Sequence, residues 1–183
     1  TYDEVFSRFG TDAPDMRFGL ELIDITEKFK STELSFLRKT IDSGGRVGCI
    51  VVPRVEFSRS ELAHWVDVSM KRCGAKGMVY LRFIEDGTPD SPVSKFLPSD
   101  IFKQLREAYP TLEPQDTVFI IADQYEDAWT ALGKLRNELG KHLKLIDENE
   151  LNFLWVTDFP MFEWGKEDKR WYAKHHPFTQ PQA

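Results

Sequence analysis

Two adjacent histidines, His175 and His176, stand directly before Pro177 near the C-terminal end of the sequence. A proline disfavours the helical region for the residue before it, so His176 is held in extended or polyproline geometry and the directions of both rings are narrowed. On a strand, neighbours face opposite sides. Trp171, Ala173 and His175 would then share one face, and Tyr172, Lys174 and His176 the other. Such a pair is poorly disposed to grip one metal ion, and no Cys, Asp or Glu stands at a supporting spacing, so no metal site is expected. A neutral imidazole can instead accept a hydrogen bond from an ammonium group. The expectation is one histidine lining a polar pocket that receives a substrate amine, and one satisfied within the structure.

The other chemistry-bearing residues are cationic. Lys71, Arg72 and Lys76 flank the run Gly74-Ala75-Lys76-Gly77, and Lys95 follows the stiff turn at Ser91-Pro92. Cations at a helix end ordinarily cap its dipole in solvent; a weak RNA contact is the functional alternative. Ser43-Gly44-Gly45-Arg46-Val47-Gly48 resembles a phosphate cradle in composition only, because it precedes a strand instead of following one and opening a helix. His64 and His142 have no partner at ligand spacing and read as surface or capping residues. Cys49 and Cys73 lack any Cys-x-x-Cys spacing and read as reduced, buried thiols.

These residues must be placed by a regular alternation of elements. Residues 2–9 read as a short helix stopped by Gly10, and residues 20–25 alternate as a strand. Short helical pieces follow at 26–30 and 34–40. From 47 to 143 the pattern is strand then helix, three times over. The strands are 47–52, 78–84 and 117–122. The helix after Ser58 carries a capping box with Glu61 and presents Leu62, Trp65, Val66, Ser69 and Met70 on one face. Ser99 can cap the next helix, and the longest runs from about 126 to 143. Residues 153–159 and 170–175, joined by a turn around 165–169, read as a terminal hairpin. Strand–helix alternation fits a parallel sheet, and it fits a mixed or antiparallel sheet with helices on one face equally well.

The chain has 183 residues, of which 41% are hydrophobic and 30% charged, with a net charge of −6. That supports a real core and excludes a disordered acidic tail. No apolar run approaches the roughly 20 residues that span a bilayer, and the first residues do not read as a signal peptide. A module whose main task is to grip phosphate backbone would usually be basic, so autonomous tight nucleic-acid binding is not expected.

The run from Phe153-Leu154-Trp155-Val156-Thr157-Asp158-Phe159-Pro160-Met161-Phe162-Glu163 to Ala173-Lys174-His175-His176-Pro177-Phe178-Thr179 resembles the hairpin before the third class II signature of bacterial-type aspartyl-tRNA synthetases. Arg8-Phe9-Gly10-Thr11-Asp12 and Pro14-Asp15-Met16-Arg17-Phe18-Gly19 resemble that family's segment after its second signature. Gly74-Ala75-Lys76-Gly77, Ser91-Pro92-Val93-Ser94-Lys95-Phe96-Leu97 and Ala131-Leu132-Gly133-Lys134-Leu135-Arg136 resemble its inserted GAD domain, which is shared with an amidotransferase subunit, and the helix that leaves it.

The resemblance implies an α+β chain. Residues 1–20 would flank the catalytic domain, 21–125 form the GAD insertion, and 126–183 form the return helix and substrate-loop hairpin. It implies aspartate binding by His175 as the direct contact and His176 as the second; tRNA contact through Lys71, Arg72, Lys76 and Lys95 rests on their charge alone. The parent enzyme would be a cytoplasmic homodimer using aspartate, tRNA(Asp), ATP and Mg²⁺. This portion, which lacks the class II signatures, would be a monomeric, inactive middle of that enzyme with no cofactor of its own. Two other readings stand beside it: a free-standing GAD interaction module, and a small doubly wound nucleotide-binding domain.

Overall fold

The two longest apolar runs, around Cys49 and Phe119, become the central strands. In the computed structural model, which describes residues 1–165 and 168–175, β2 is Arg46–Val52 and β5 is Thr117–Asp123. They pair antiparallel along their whole length, from Arg46 opposite Asp123 to Val52 opposite Thr117. β1 (Leu22–Asp24) adds to the free edge of β2, and β3 (Val79–Phe83) with the two-residue β4 (Pro89–Asp90) adds to β5. The spatial order is β1-β2-β5-β3-β4, antiparallel throughout.

Of the two sheet types the alternation allowed, the antiparallel one is realised. β2 and β3 nonetheless run in the same direction, because β5 is slotted between them and opposes both. The helix α3 (Arg59–Lys71) is the crossover of this split β-α-β unit.

Both faces of the sheet are covered. Ile50, Val52, Phe119 and Ile121 join a cluster with α1 (Tyr2–Phe9), α3 and α5 (Tyr125–His142). Val47, Cys49, Val51, Val118 and Ile120 join another with α2 (Ser35–Asp42), α4 (Ile101–Ala108) and the 3₁₀ turn Thr26–Phe29. The expectation of helices on one face is thereby corrected. Its physical reason is visible in the strands, where both side-chain sets of β2 and β5 are apolar, as a sheet with no solvated face requires.

Local signals worked where the chemistry is local. Ser58 caps α3 through the Glu61 N–H while the Glu61 carboxylate accepts from the Ser58 N–H, the expected capping box. Asp100, not Ser99, occupies the cap of α4, without a side-chain hydrogen bond. On α3 the buried set is Leu62, Trp65, Val68 and Ser69, while Met70 is exposed.

α5 is the axis on which the flanking segments are hung. Gly48 lets it settle on the sheet, since a Cβ there would lie 2.6 Å from Leu132 Cδ1. The end of α1 approaches it backbone to backbone: a Cβ on Gly133 would lie 2.5 Å from the Phe9 carbonyl oxygen. The Trp129 indole N–H donates to the Ser7 carbonyl at 2.8 Å.

Arg136 is wholly buried. Its Nη2 donates to the carbonyls of Asp15 and Phe18 at 2.9 and 2.7 Å, and its guanidinium lies 4.0 Å from the Phe18 ring centroid. Burial pulls its pKa down to about 10. The cation is thus held by carbonyls and aromatic faces, with the carboxylates of Asp15 and Glu21 acting from farther off. Residues 1–20 and α5 accordingly share one core with the sheet.

Arg136→Ala is expected to lower the unfolding free energy by about 2–4 kcal/mol, through the removal of two charge-assisted hydrogen bonds and the opening of a cavity. A urea titration reads this as a lower midpoint, and Arg136→Met should recover part of it by refilling the volume. A loss under about 0.5 kcal/mol would show that the clamp is idle.

The same region should be acid-sensitive. Hydrogen bonds from Arg17 and Arg8 hold the Asp15 and Glu21 carboxyls below their ordinary values of 3.8 and 4.5. A lowered native pKa contributes stability above the ordinary value and loses it as pH falls through the lowered one. The urea midpoint should therefore be flat down to about pH 5 and fall below about pH 4.

Candidate functional site

The terminal hairpin consists of β6 (Phe162–Gly165) and β7 (Arg170–Ala173), with Trp164 opposite Trp171 and their rings edge to face at 5.3 Å. It begins later than expected. Residues 153–159 form no ladder among the described residues. Asp158 sits at φ 59 and Pro160 lacks an N–H, so the pleat cannot run through to the turn. One backbone bond, from the Tyr2 N–H to the Thr157 carbonyl at 2.8 Å, ties this extended run to α1.

β7 ends at Ala173, and the next two residues bend inward. Lys174 and His175 do not diverge as neighbours on a continuous strand would; both approach Tyr2. The Lys174 Nζ donates to Glu126 Oε1 at 2.6 Å, lies 3.7 Å from Glu163 Oε2 and stands 5.8 Å from the Tyr2 ring centroid. The His175 ring packs edge-on to Tyr2 at 5.6 Å and to Phe159 at 4.7 Å. Its Nδ1 lies 2.7 Å from the Pro160 carbonyl oxygen. A carbonyl only accepts, so Nδ1 carries the proton and donates. In the neutral ring Nε2 is then the acceptor. That is the tautomer needed to receive an ammonium group. His176 lies outside the described residues.

Beside this loop opens a cleft of about 630 Å³, lined by Tyr2, Phe6, Tyr125, Phe162, Trp171 and Lys174 among others. Asp3, Glu126, Asp127 and Glu163 also border it, against the single lysine. An aromatic cleft with this excess of carboxylates favours a cation over a phosphate. Burial acts to lower the Lys174 pKa, but the hydrogen bond and charge of Glu126 outweigh it and the net direction is upward. Lys174 is therefore charged at neutral pH. Tyr2, Phe159 and Glu126 were not singled out from the sequence as site residues; their only signal was proximity in the fold.

The cationic candidates are each engaged with neighbours. Lys71 pairs with Asp67 at 2.8 Å, Arg72 with Glu138 at 2.9 Å and Lys76 with Asp123 at 2.8 Å. Lys95 lies 4.7 Å from the centroid of the adjacent Phe96 ring, in a different groove. Lys76 borders a groove of about 640 Å³ with Lys39 and Phe36, the latter 46% exposed. Phe36 was legible as an aromatic on the polar side of α2 but was not singled out. Both cysteines are free and buried, and burial raises the Cys49 thiol pKa well above its ordinary value.

Long-range ¹H–¹⁵N correlation on histidine-labelled protein should find His175 protonated at Nδ1 at pH 8. An Nε2–H form would mean that the Pro160 contact does not set the ring.

Comparison with known proteins bears on the whole chain. Aspartate–tRNA(Asp/Asn) ligases of a Hydrogenobaculum species and of Anoxybacillus flavithermus are 41% and 40% identical to it, over 100% and 99% of its length. The aspartate–tRNA ligase of Listeria monocytogenes serovar 1/2a is 41% identical over 99%. The chain spans about 30% of the length of each of these relatives. A family model described as the GAD domain matches residues 37–132, a segment that holds β2 through β5 and the first part of α5. With about half of its residues matched by that model, the chain belongs to the GAD domain family.

Proposed function

We propose that this chain is the GAD insertion, with adjoining strips of a class II catalytic body, of an aspartate–tRNA ligase. Such an enzyme activates aspartate with ATP to aspartyl-adenylate and passes the aspartyl group to tRNA. The reading rests on the match to ligases at about 40% identity across essentially every residue of the chain. Residues 21–125 are then the insertion, and 1–20 and 126–183 the strips that carry it.

The surface of the terminal strip supports this. Phe153 is 89% and Trp155 95% exposed, and Leu151, Phe162 and Trp171 are also open. So many large apolar side chains along one strip suit a buried seam against further protein.

In this reading His175 Nε2 accepts a hydrogen bond from the α-ammonium of aspartate, with His176 as the second contact. The neighbouring cleft, whose lining includes Lys174 but not His175, carries more carboxylates than cations and favours an amine over a phosphate. The described residues offer no group of three or more His, Cys, Asp or Glu fit to hold a metal ion. In this reading ATP and Mg²⁺ serve the parent ligase, and the chain alone holds no cofactor and is inactive and monomeric. The enzyme is a cytoplasmic homodimer. Lys71, Arg72, Lys76 and Lys95 are assigned a weak contact to tRNA(Asp), by which the insertion helps position the acceptor end.

The purified chain should show no aspartate-dependent ATP–pyrophosphate exchange; exchange above background would overturn its assignment as an inactive portion. In the full-length ligase, His175→Ala should raise KM for aspartate by about 10- to 100-fold with KM for ATP little changed. For the positioning role, absence of tRNA binding at low salt, together with unaltered charging by a ligase lacking 21–125, is the result that discards it.

A further inference from the structure

The loop that presents His175 is not held by its own hairpin alone. Among the described residues, three contacts fix it to the body of the domain beside the Tyr2–Phe159 ring contact at 5.4 Å, and all fall at the N-terminal ends of α1 and α5. One is the Tyr2 N–H to Thr157 carbonyl bond, at 2.8 Å. Another is the ring contact between His175 and Tyr2, at 5.6 Å. The third is the ion pair of Lys174 with Glu126, at 2.6 Å.

The ion pair stands apart from the other two. The Lys174 side chain is only 18% exposed, although Glu126 is 64% exposed. Its ammonium also lies 3.7 Å from Glu163 on β6 and faces the Tyr2 ring. One charge therefore gathers α5, β6 and α1 at a single point. Glu126 lies in the first turn of α5, where a carboxylate is additionally favoured by the helix dipole. Lys174 directly precedes His175, and its own N–H is fixed to the Met161 carbonyl at 2.9 Å. Its backbone and its head group are thus both anchored, which leaves the next residue little freedom to swing.

We propose that Lys174 is a positioning residue. It clamps the terminal hairpin to the start of α5 and thereby sets the imidazole of His175 toward the substrate amine. The proposal rests on the reading of His175 as an aspartate contact. It adds a route by which the GAD sheet bears on that contact. α5 lies on the sheet through Gly48 and Leu132, and its first turn holds the clamp.

Two measurements test it. In this chain, nuclear Overhauser effects between the His175 and Tyr2 rings should be present in the wild type. They should vanish in Lys174→Met and in Glu126→Gln, with far-UV circular dichroism unchanged, and persist in Lys174→Arg. In the full-length ligase, Lys174→Met and Glu126→Gln should each raise KM for aspartate by about tenfold, leaving kcat and KM for ATP within about twofold. The exchanged pair Lys174→Glu with Glu126→Lys should recover most of the loss, which a merely structural role would not predict. Overhauser effects that survive in Lys174→Met would overturn the clamp itself. Their disappearance with KM for aspartate unmoved would leave the clamp in place and remove His175 from the amine site, overturning the proposal through the reading beneath it.

Discussion

A sheet buried on both faces has no polar side to present, and the seven-residue ladder between β2 and β5 is built under that constraint. Every residue of β2 after Arg46 is buried, and so are the first five of β5. The rest of the five-stranded sheet and its covering helices are placed on this pair. β1 and β3 attach to its outer edges, and α3, α5 and α1 cover one face while α2 and α4 cover the other. The edges themselves are short, three residues in β1 and two in β4, so little unpaired backbone is offered to another chain.

The candidate site is a product of this packing at one remove. α5 is pressed to the sheet where Gly48 has no side chain, α1 is pressed to α5 where Gly133 has none, and the first turns of these two helices then form a shelf. Tyr2 and Glu126 stand on that shelf, and the bend after β7 is received there. Arg136 sets the other end of the arrangement by holding the 15–18 segment through its carbonyls. A buried guanidinium bonded to neutral carbonyls, not paired directly with a carboxylate, is a costly device. It is kept in a place where a loop must be fixed and no secondary structure does it.

Charge differs between the two groups of candidate residues. Around Lys174 the carboxylates exceed the cations, which suits an amine. Lys71, Arg72 and Lys76 each have a carboxylate within 3 Å, so none presents a bare charge to phosphate. Any nucleic-acid contact through them must compete with an existing pair, and this agrees with the net charge of −6.

Much was legible beforehand because it is local. The apolar runs, the capping box of Ser58 and Glu61, the helix stop at Gly10 and the order of elements follow from spacing along the chain. What lay beyond reach depends on which surfaces meet. An apolar run reads the same in a parallel strand and in an antiparallel one buried on both sides. A two-residue periodicity cannot show that β7 stops at Ala173, and so it set Lys174 and His175 apart when the bend turns both toward Tyr2. Residue types alone determined that the chain carries a sheet, its helices and a paired histidine beside aromatics. Only the tertiary structure decided which side chains those elements meet, because Tyr2, Glu126 and Lys174 lie more than a hundred residues apart at their extremes and are joined through contacts, not spacing.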